Sequence, residues 1–171
     1  SGIGTTTLND IFGEKTFQNP KPVSLIKHLL KISSKPNSTI LDFFAGSGTT
    51  GQAVMELNEE DGGNRQCILV TNNENNIAKN ITRERLYRVC NGVGTNGETF
   101  KWEYSKEKPH LQNNIWDIFE IETHELKIDD FERVRELVKK AEAEFKNLNE
   151  IYESKDLDIR NQLASLNPYK K

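Results

Sequence analysis

The sequence predicts an α/β fold with about three parallel strands and flanking helices, followed by a helical C-terminal extension. Two short apolar runs, residues 40–44 and 67–71, have the composition of strands in a parallel sheet. A glycine-rich turn separates the first run from a segment of helical composition, residues 52–57. Strand, glycine turn and helix in this order form the repeating unit of ligand-binding α/β sheets.

Composition sets limits on the classes of protein that the chain can represent. Its 171 residues carry a net charge of −3, which argues against a free-standing nucleic-acid-binding domain, because such domains usually have a basic excess. Cys67 and Cys90 give neither a disulfide framework nor a metal-binding spacing, so they favour a reducing, cytoplasmic location. No apolar run approaches the ~20 residues that a membrane span needs.

The turn at residues 46–51 matches the pattern G-x-G-x-x-G through Gly46, Gly48 and Gly51. A phosphate-binding Walker loop would need a lysine where Thr49 stands. Glycines let the backbone turn sharply and bring free N–H groups to a ligand at the carboxyl edge of the sheet. Taken alone, the pattern is also compatible with a purely structural turn.

Glu74 follows the second predicted strand, roughly 20 residues past the glycine turn, where a ribose-binding carboxylate is expected. Such a carboxylate accepts hydrogen bonds from both ribose hydroxyls. Glu74 is equally consistent with an acidic residue at a helix N-terminus, stabilised by the helix dipole. The two interpretations are compatible, and both remain open at this point.

Three segments in sequence order resemble the amino-DNA methyltransferases, and most of all the modification subunit of type III restriction-modification systems. They are FQNPKP at 17–22, ILDFFAGSGTTG at 40–51 and ILVTNNE at 68–74. The likeness covers about residues 14–105. It implies a Rossmann-like methyltransferase sheet, S-adenosylmethionine as the cofactor, and the exocyclic amino group of adenine in duplex DNA as the target.

The resemblance also implies which residues bind the cofactor. The Asn-Pro-Lys-Pro segment and the glycine turn would hold its methionine end, and the acidic residue after the second strand would hold its ribose. The implied cofactor-binding residues are Phe17, Asn19, Lys21, Pro22, Asp42, Phe44, Ala45, Gly46, Ser47, Gly48, Thr49 and Glu74.

One departure from the family limits the assignment. These enzymes hold the target base with a D-P-P-Y or related motif, and the closest segments here, residues 19–22 and 167–169, lack the paired prolines before an aromatic residue. No catalytic residue is therefore assigned. In the family the catalytic motif and the DNA-recognition region precede the cofactor motifs. The chain is expected to be a C-terminal fragment that is inactive by itself and meets DNA through the upstream half. A restriction subunit and a second copy of the chain are further candidate partners.

The remaining segments complete the predicted organisation. We expect a helix over residues 23–33, another over 75–91, and an edge strand at 99–104, where polar and apolar residues alternate. The predicted parts are an N-terminal loop anchored by Ile11 and Phe12 (1–13), the cofactor-binding α/β part (14–105), a mixed connector (106–130), an amphipathic helix (131–152) and a tail (153–171).

Two helices carry patterns that suggest a surface role. The helix at 75–91 presents Lys79, Arg83, Arg85 and Arg88, which could contact DNA phosphates, although a solvated face paired with Glu84 and nearby acids is the favoured interpretation. In the helix at 131–152, apolar residues recur at alternating steps of three and four over three heptads. This spacing indicates packing against another helix, within the chain or in a partner.

Two other functional classes remain open. A domain that binds NAD or another nucleotide would use the same glycine turn and the same acidic residue. A non-catalytic assembly module would instead use the heptad helix to dock onto a restriction subunit or a second copy. Binding of S-adenosylmethionine but not NAD separates the first class from the methyltransferase, and the mass in solution tests the second.

Overall fold

The computed structural model describes residues 2–112, 114, 116–121 and 131–152. The chain divides into two compact units, Ser1–Asp117 and Ile118–Lys171, and each is considered by itself. The first unit holds the sheet and every residue of the predicted cofactor site. In the second unit, the described helix spans Phe131–Tyr152, the bounds that the heptad spacing predicts. The predicted tail at residues 153–171 lies outside the described residues, as do residues 122–130 of the predicted connector.

Along the first unit, two helices precede the first strand, and helical segments follow each of the two strands. In order the elements are α1 (Ile3–Phe12), α2 (Val23–Ser33), β1 (Thr39–Asp42), α3 (Thr49–Asp61), β2 (Gln66–Leu69), a 3₁₀ turn (Glu74–Asn76), a π-helix (Ile77–Arg83) and α4 (Glu84–Asn91). The helix at Phe131–Tyr152 is α5. None of the helices in the described part of the chain is long and apolar enough to cross a membrane.

Strands β1 and β2 pair in parallel, with Ile40 opposite Cys67 and Leu41 opposite Ile68. Helix α3 connects them, because parallel neighbours need a crossover that returns the chain to the same end of the sheet. Within the described residues the sheet has these two strands. The predicted α/β class is therefore confirmed, whereas the predicted third strand is not formed.

The backbone at residues 99–104 explains why the third strand is absent. The N–H groups of Lys101 and Trp102 both donate to the carbonyl oxygen of Asp10, and the N–H of Tyr104 donates to Pro109. These donors are used by a helix end and by the local loop, so no ladder to a neighbouring strand can form. Alternating hydrophobicity alone did not distinguish a strand from a loop that packs one side against α1.

One face of the sheet is covered by α2 and α3. Their buried side chains Val23, Leu30, Ala53, Val54 and Leu57 form a core against which Ile40 and Cys67 pack. On the opposite face, Leu41 and Ile68 keep 49% and 51% of their surface exposed. The apolar composition of the strands predicted that helices cover both faces of the sheet. In the first unit, helices cover one face.

The N-terminal segment is helical, so the prediction of a loop over residues 1–13 was wrong. Helix α1 ends at Gly13, whose φ of 80° is the left-handed conformation that commonly terminates helices. Ile11 is fully buried, as expected of an anchor, and it packs with Val89, Cys90 and Leu111. Apolar residues at a helical spacing before a terminating glycine were the overlooked signal.

The predicted helix at 75–91 forms as three differently wound pieces. Asn75 and Asn76 have positive φ values of 52° and 59°, so an α-helix cannot begin there. The π-helix that follows closes its hydrogen bonds over five residues instead of four. This change of winding shifts the phase of α4, and it places different side chains inside than a single regular helix would.

Candidate cofactor-binding site

The glycine turn lies directly after β1 and is closed by Asp42. One carboxylate oxygen of Asp42 accepts the N–H of Phe44 at 2.9 Å, and the other accepts the hydroxyl of Thr50 at 2.6 Å. The side chain thus joins the end of the strand to the first turn of α3. In this structure Asp42 shapes the turn, and both of its oxygens already accept hydrogen bonds.

Each glycine of the pattern has its own physical requirement. Gly46 and Gly48 have φ values of 51° and 75°, which residues with a Cβ rarely adopt. A Cβ on Gly48 would also lie 3.2 Å from the carbonyl oxygen of Thr82. Gly51 has an ordinary backbone, but a Cβ there would lie 2.9 Å from Leu86 and 3.0 Å from Leu69. The first two glycines form the turn, and the third lets α3 pack closely.

The turn is held from behind by two residues that the sequence analysis did not select. Thr82, in the π-helix, donates its hydroxyl to the carbonyl oxygen of Gly46 at 2.6 Å. Arg85, in α4, donates to the carbonyl oxygen of Ser47 at 3.1 Å and to the hydroxyl oxygen of Thr49 at 2.8 Å. The segment that follows β2 therefore fixes the shape of the turn that follows β1.

The interpretation of the basic helix face was wrong for two of its four residues. Arg85 is fully buried and Arg88 is 6% exposed, so neither belongs to a solvated face or can lie on a DNA phosphate in this conformation. Arg88 pairs with Glu84 at 2.7 Å and donates to the carbonyl oxygen of Ile11. The predicted pairing with Glu84 is thus correct, but it is buried within α4, and the hydrogen bond from Arg88 to Ile11 fastens α4 to α1.

An open cavity of about 610 Å³ joins the first and third segments of the predicted site. Its lining residues are Lys15, Thr16, Phe17, Gln18, Glu74, Asn75, Ile77 and Ile81. The ring of Phe17 also lies 3.5 Å from the position that a Cβ on Gly46 would take. The ring of Phe17 therefore lies beside the turn, and the residue also lines the cavity of Glu74.

Glu74 is exposed and stands at the beginning of the 3₁₀ turn, before Asn75 and Asn76. The left-handed conformation of both asparagines reverses the chain beside the cavity. Asparagine tolerates this conformation better than most residues. The local sequence thus keeps the carboxylate at the cavity and out of a regular helix.

The Asn-Pro-Lys-Pro segment packs against α1. A Cβ on Gly4 would lie 2.2 Å from the carbonyl oxygen of Pro20, so the helix and the segment touch through the glycine backbone. Asn19 has a φ of 54° and is exposed, as is Lys21, while Pro22 directly precedes α2. Their backbone is therefore fixed by packing, and two polar side chains point outward.

The other predicted residues of the turn fall into two groups. Phe44 is 91% exposed, and its ring extends into solvent. Ala45, Ser47 and Thr49 are buried. The hydroxyl groups of Ser47 and Thr49 lie 3.2 Å apart beside the Arg85 guanidinium. These two side chains therefore support the turn from inside and leave its backbone to face outward.

Comparison with known proteins identifies the family to which this arrangement is similar. Residues 4–83 match the DNA methylase family. The resemblance to DNA methyltransferases is confirmed. The match runs from α1 through the π-helix, so it includes the Asn-Pro-Lys-Pro segment, the glycine turn and Glu74.

Curated relatives agree with the DNA methylase match. The chain is 44% identical over 105 residues to the type III restriction-modification enzyme StyLTI Mod subunit of Salmonella typhimurium. This alignment covers 54% of the chain and 16% of the Mod subunit. It is 53% identical over 74 residues to the EcoPI Mod subunit of Escherichia phage P1, covering 43% of the chain and 12% of the relative.

A third relative comes from a different class of restriction-modification system. The type II methyltransferase M.KpnI of Klebsiella pneumoniae is 46% identical over 89 residues, or 52% of the chain and 21% of the relative. The aligned part of the chain thus spans 12% to 21% of the length of these three DNA methyltransferases and Mod subunits.

Proposed function

We propose that this chain is the S-adenosylmethionine-binding part of a DNA methyltransferase that transfers a methyl group to the adenine amino group, as the modification subunit of a restriction-modification system. The observation that carries the proposal is the position of Phe17. Its ring lies beside Gly46 of the turn, and Phe17 also borders the cavity of Glu74, so it connects three segments that are far apart in sequence. The match of these segments to the DNA methylase family supports the same function.

The residues present fit this cofactor. The cavity volume of about 610 Å³ lies within the range of roughly 300–1,000 Å³ that is common for small-molecule sites. Glu74 would accept the ribose hydroxyls, and the backbone of the Gly46–Thr49 turn would face the methionine end. S-adenosylmethionine supplies an electrophilic methyl group. The residues of this chain hold and orient the donor, which is where most of their contribution to the rate would arise.

The motifs of this chain do not include the groups that hold the target base. Transfer to an adenine amino group needs an acceptor for its hydrogens and an aromatic face for the extruded base. The family provides both through D-P-P-Y, and residues 19–22 and 167–169 do not reproduce that motif. We propose that another part of the enzyme contributes the base-holding groups and most of the contact with duplex DNA. Pairing with a restriction subunit or a second copy remains a prediction.

Calorimetry with S-adenosylhomocysteine, the demethylated cofactor, tests the proposed function. We expect the wild-type chain to bind this probe weakly and to show no binding of NAD at the same concentration. Glu74→Ala should reduce the binding free energy by about 1–3 kcal/mol, because the ribose hydroxyls lose their acceptor. Glu103→Ala is a suitable control, since Glu103 is also exposed but does not line this cavity. Equal affinities of the wild type and Glu74→Ala would remove Glu74 from the site, and NAD binding would favour the dinucleotide-binding alternative.

A further inference from the structure

The buried cation behind the glycine turn has no carboxylate among its hydrogen-bond partners within the described residues. Arg85 is fully buried and donates to the side-chain oxygen of Gln52 at 2.8 Å, in addition to Ser47 and Thr49. Every one of these acceptors is neutral. Burying a guanidinium without a directly paired anion is costly, and it is unusual unless the charge has a use.

The carboxylate of Glu56 is connected to Arg85 through the side chain of Gln52. Gln52 passes its own amide N–H to Glu56 at 2.8 Å, and Glu56 in turn pairs with Lys27 at 2.9 Å. Glu56 shares Lys27 with Glu60, and Glu60 also pairs with Lys31. Because these two carboxylates already face two lysines, Glu56 compensates Arg85 only in part. Burial lowers the pKa of Arg85 to about 10, which still leaves the side chain charged at neutral pH.

One nitrogen of the guanidinium remains without a partner. Nη2 of Arg85 is buried and makes no hydrogen bond within the described residues. The neighbouring Nη1 contacts Ser47 and Thr49, which places the unused donor beside the N-terminus of α3. This helix has no acidic residue in its first turn and no side-chain cap, so its positive dipole end adds to the same field.

We propose that Arg85 is a positioning residue that makes the glycine turn selective for ligands with a carboxylate at their amino-acid end. This inference rests on the proposed function and deepens it. Arg85 donates to the carbonyl oxygen of Ser47 and to the hydroxyl oxygen of Thr49. Its only partly compensated charge, together with the α3 dipole, favours an anion at the outer side of the turn. The carboxylate of the cofactor's methionine moiety is the group of matching charge.

Two probes that differ in the amino-acid end, which carries this carboxylate and an ammonium group, test the inference. S-adenosylhomocysteine carries the amino-acid end, and 5′-methylthioadenosine has the same nucleoside without it. We expect the wild-type chain to prefer the first probe. Arg85→Gln removes the charge and should weaken S-adenosylhomocysteine binding at least tenfold while changing the affinity for 5′-methylthioadenosine less than twofold. A merely structural role would weaken both probes equally.

Arg88→Gln is the matched control. Arg88 is also a buried arginine of α4, but it pairs with Glu84 and does not contact the turn. This variant should lose thermal stability and keep the wild-type ratio of the two affinities. If Arg85→Gln does not fold, Arg85→Lys replaces it, because the charge is kept while the planar fork is lost. A retained preference for S-adenosylhomocysteine in this variant supports the role of the charge, and a lost preference overturns it.

The outcomes separate this inference from the function on which it rests. A wild-type chain that binds neither probe overturns both. A wild-type chain that binds the two probes with equal affinity, or an Arg85→Gln variant with an unchanged ratio, overturns the role of Arg85 alone.

Discussion

The hydroxyl of Thr82 donates a 2.6 Å hydrogen bond to the carbonyl oxygen of Gly46, across 36 positions of the sequence. This contact joins the π-helix after β2 to the turn after β1. It links the segment that follows Glu74 directly to the segment that carries the glycines. The shape of the proposed cofactor site therefore depends on packing between the segments that follow the two strands.

Thr82→Val tests that link, because valine has nearly the same shape and lacks the hydroxyl. Thr82 is 6% exposed, so the carbonyl oxygen of Gly46 would lose a buried donor. We expect the free energy of unfolding to fall by about 1–2 kcal/mol and S-adenosylhomocysteine binding to weaken. Chemical denaturation and calorimetry measure the two effects. Thr82→Ser keeps the hydroxyl and should behave much more like the wild type; a valine variant of unchanged stability would contradict the assigned role.

Gly46→Val should abolish cofactor binding. The φ of 51° at Gly46 disfavours any residue with a Cβ, and a β-branched residue most of all, so the turn must change shape or bear a strain of about 1–2 kcal/mol or more. The nearest side-chain atom to a Cβ here, on Phe17, would be at an ordinary distance of 3.5 Å, so backbone strain is the main cause within the chain. Calorimetry and circular dichroism measure binding and folding.

Gly62→Val provides the control for that substitution. Gly62 follows the last residue of α3 with a φ of 67°, and a Cβ added there would meet no atom within 4 Å, so it shares the strain but not the site. This variant should lose stability and still bind. A folded Gly46→Val variant that binds as the wild type does would show that the turn is structural only.

The two thiols should be unreactive in the folded chain. Burial raises the pKa of Cys67 to about 11, with a further contribution from the negative charge of Asp42. Burial also raises the pKa of Cys90 to about 11, although a hydrogen bond with Trp116 acts in the opposite direction. Because the thiolate is the nucleophile, a disulfide reagent at pH 8 should react slowly until denaturant is added. Rapid reaction of either thiol in the folded chain would contradict its burial.

The same shifts predict a loss of stability at alkaline pH. The pKa of each thiol is higher in the folded chain than in the unfolded chain. The contribution of each thiol to the free energy of unfolding is therefore complete below pH 9 and is lost as the pH rises from 9 towards 11. Denaturation curves between about pH 8 and pH 10.5 should show this decline. The Cys67→Ala, Cys90→Ala double variant should decline less steeply over the same range, and an equal slope would exclude the thiols as a cause.

The 171-residue chain alone should not methylate DNA. The base-holding motif is missing from its sequence. A chain with a net charge of −3 can also neutralise few DNA phosphates, so we expect weak duplex binding at physiological salt. Incubation with labelled S-adenosylmethionine and mixed-sequence duplex DNA should leave the DNA unlabelled. Incorporation that disappears in Gly46→Val would reveal a catalytic motif within this chain and refute the expectation of an inactive fragment.

Local patterns in the sequence were sufficient for the α/β class, for α2 and for the length of α5. Residues 23–33 are helical as the apolar spacing predicts. Both predicted parallel strands form, and each begins one residue earlier and ends two residues earlier than expected. The glycine pattern was readable because each of its positions has a strict backbone or packing requirement. The order of three short segments was enough to indicate the DNA methyltransferase resemblance.

Long-range packing decided what the sequence could not. The winding of residues 74–83 depends on two left-handed asparagines and a π-helix, and it turns Arg85 and Arg88 inward, where a regular helix would have suggested a solvated face. Residues 99–104 do not form a strand, because Asp10 accepts the N–H groups of Lys101 and Trp102 and Pro109 accepts that of Tyr104. The sequence by itself determined which segments form the proposed cofactor site; the tertiary structure decided that Thr82 and Arg85 hold it, since hydrogen bonds across more than thirty residues leave no local periodicity.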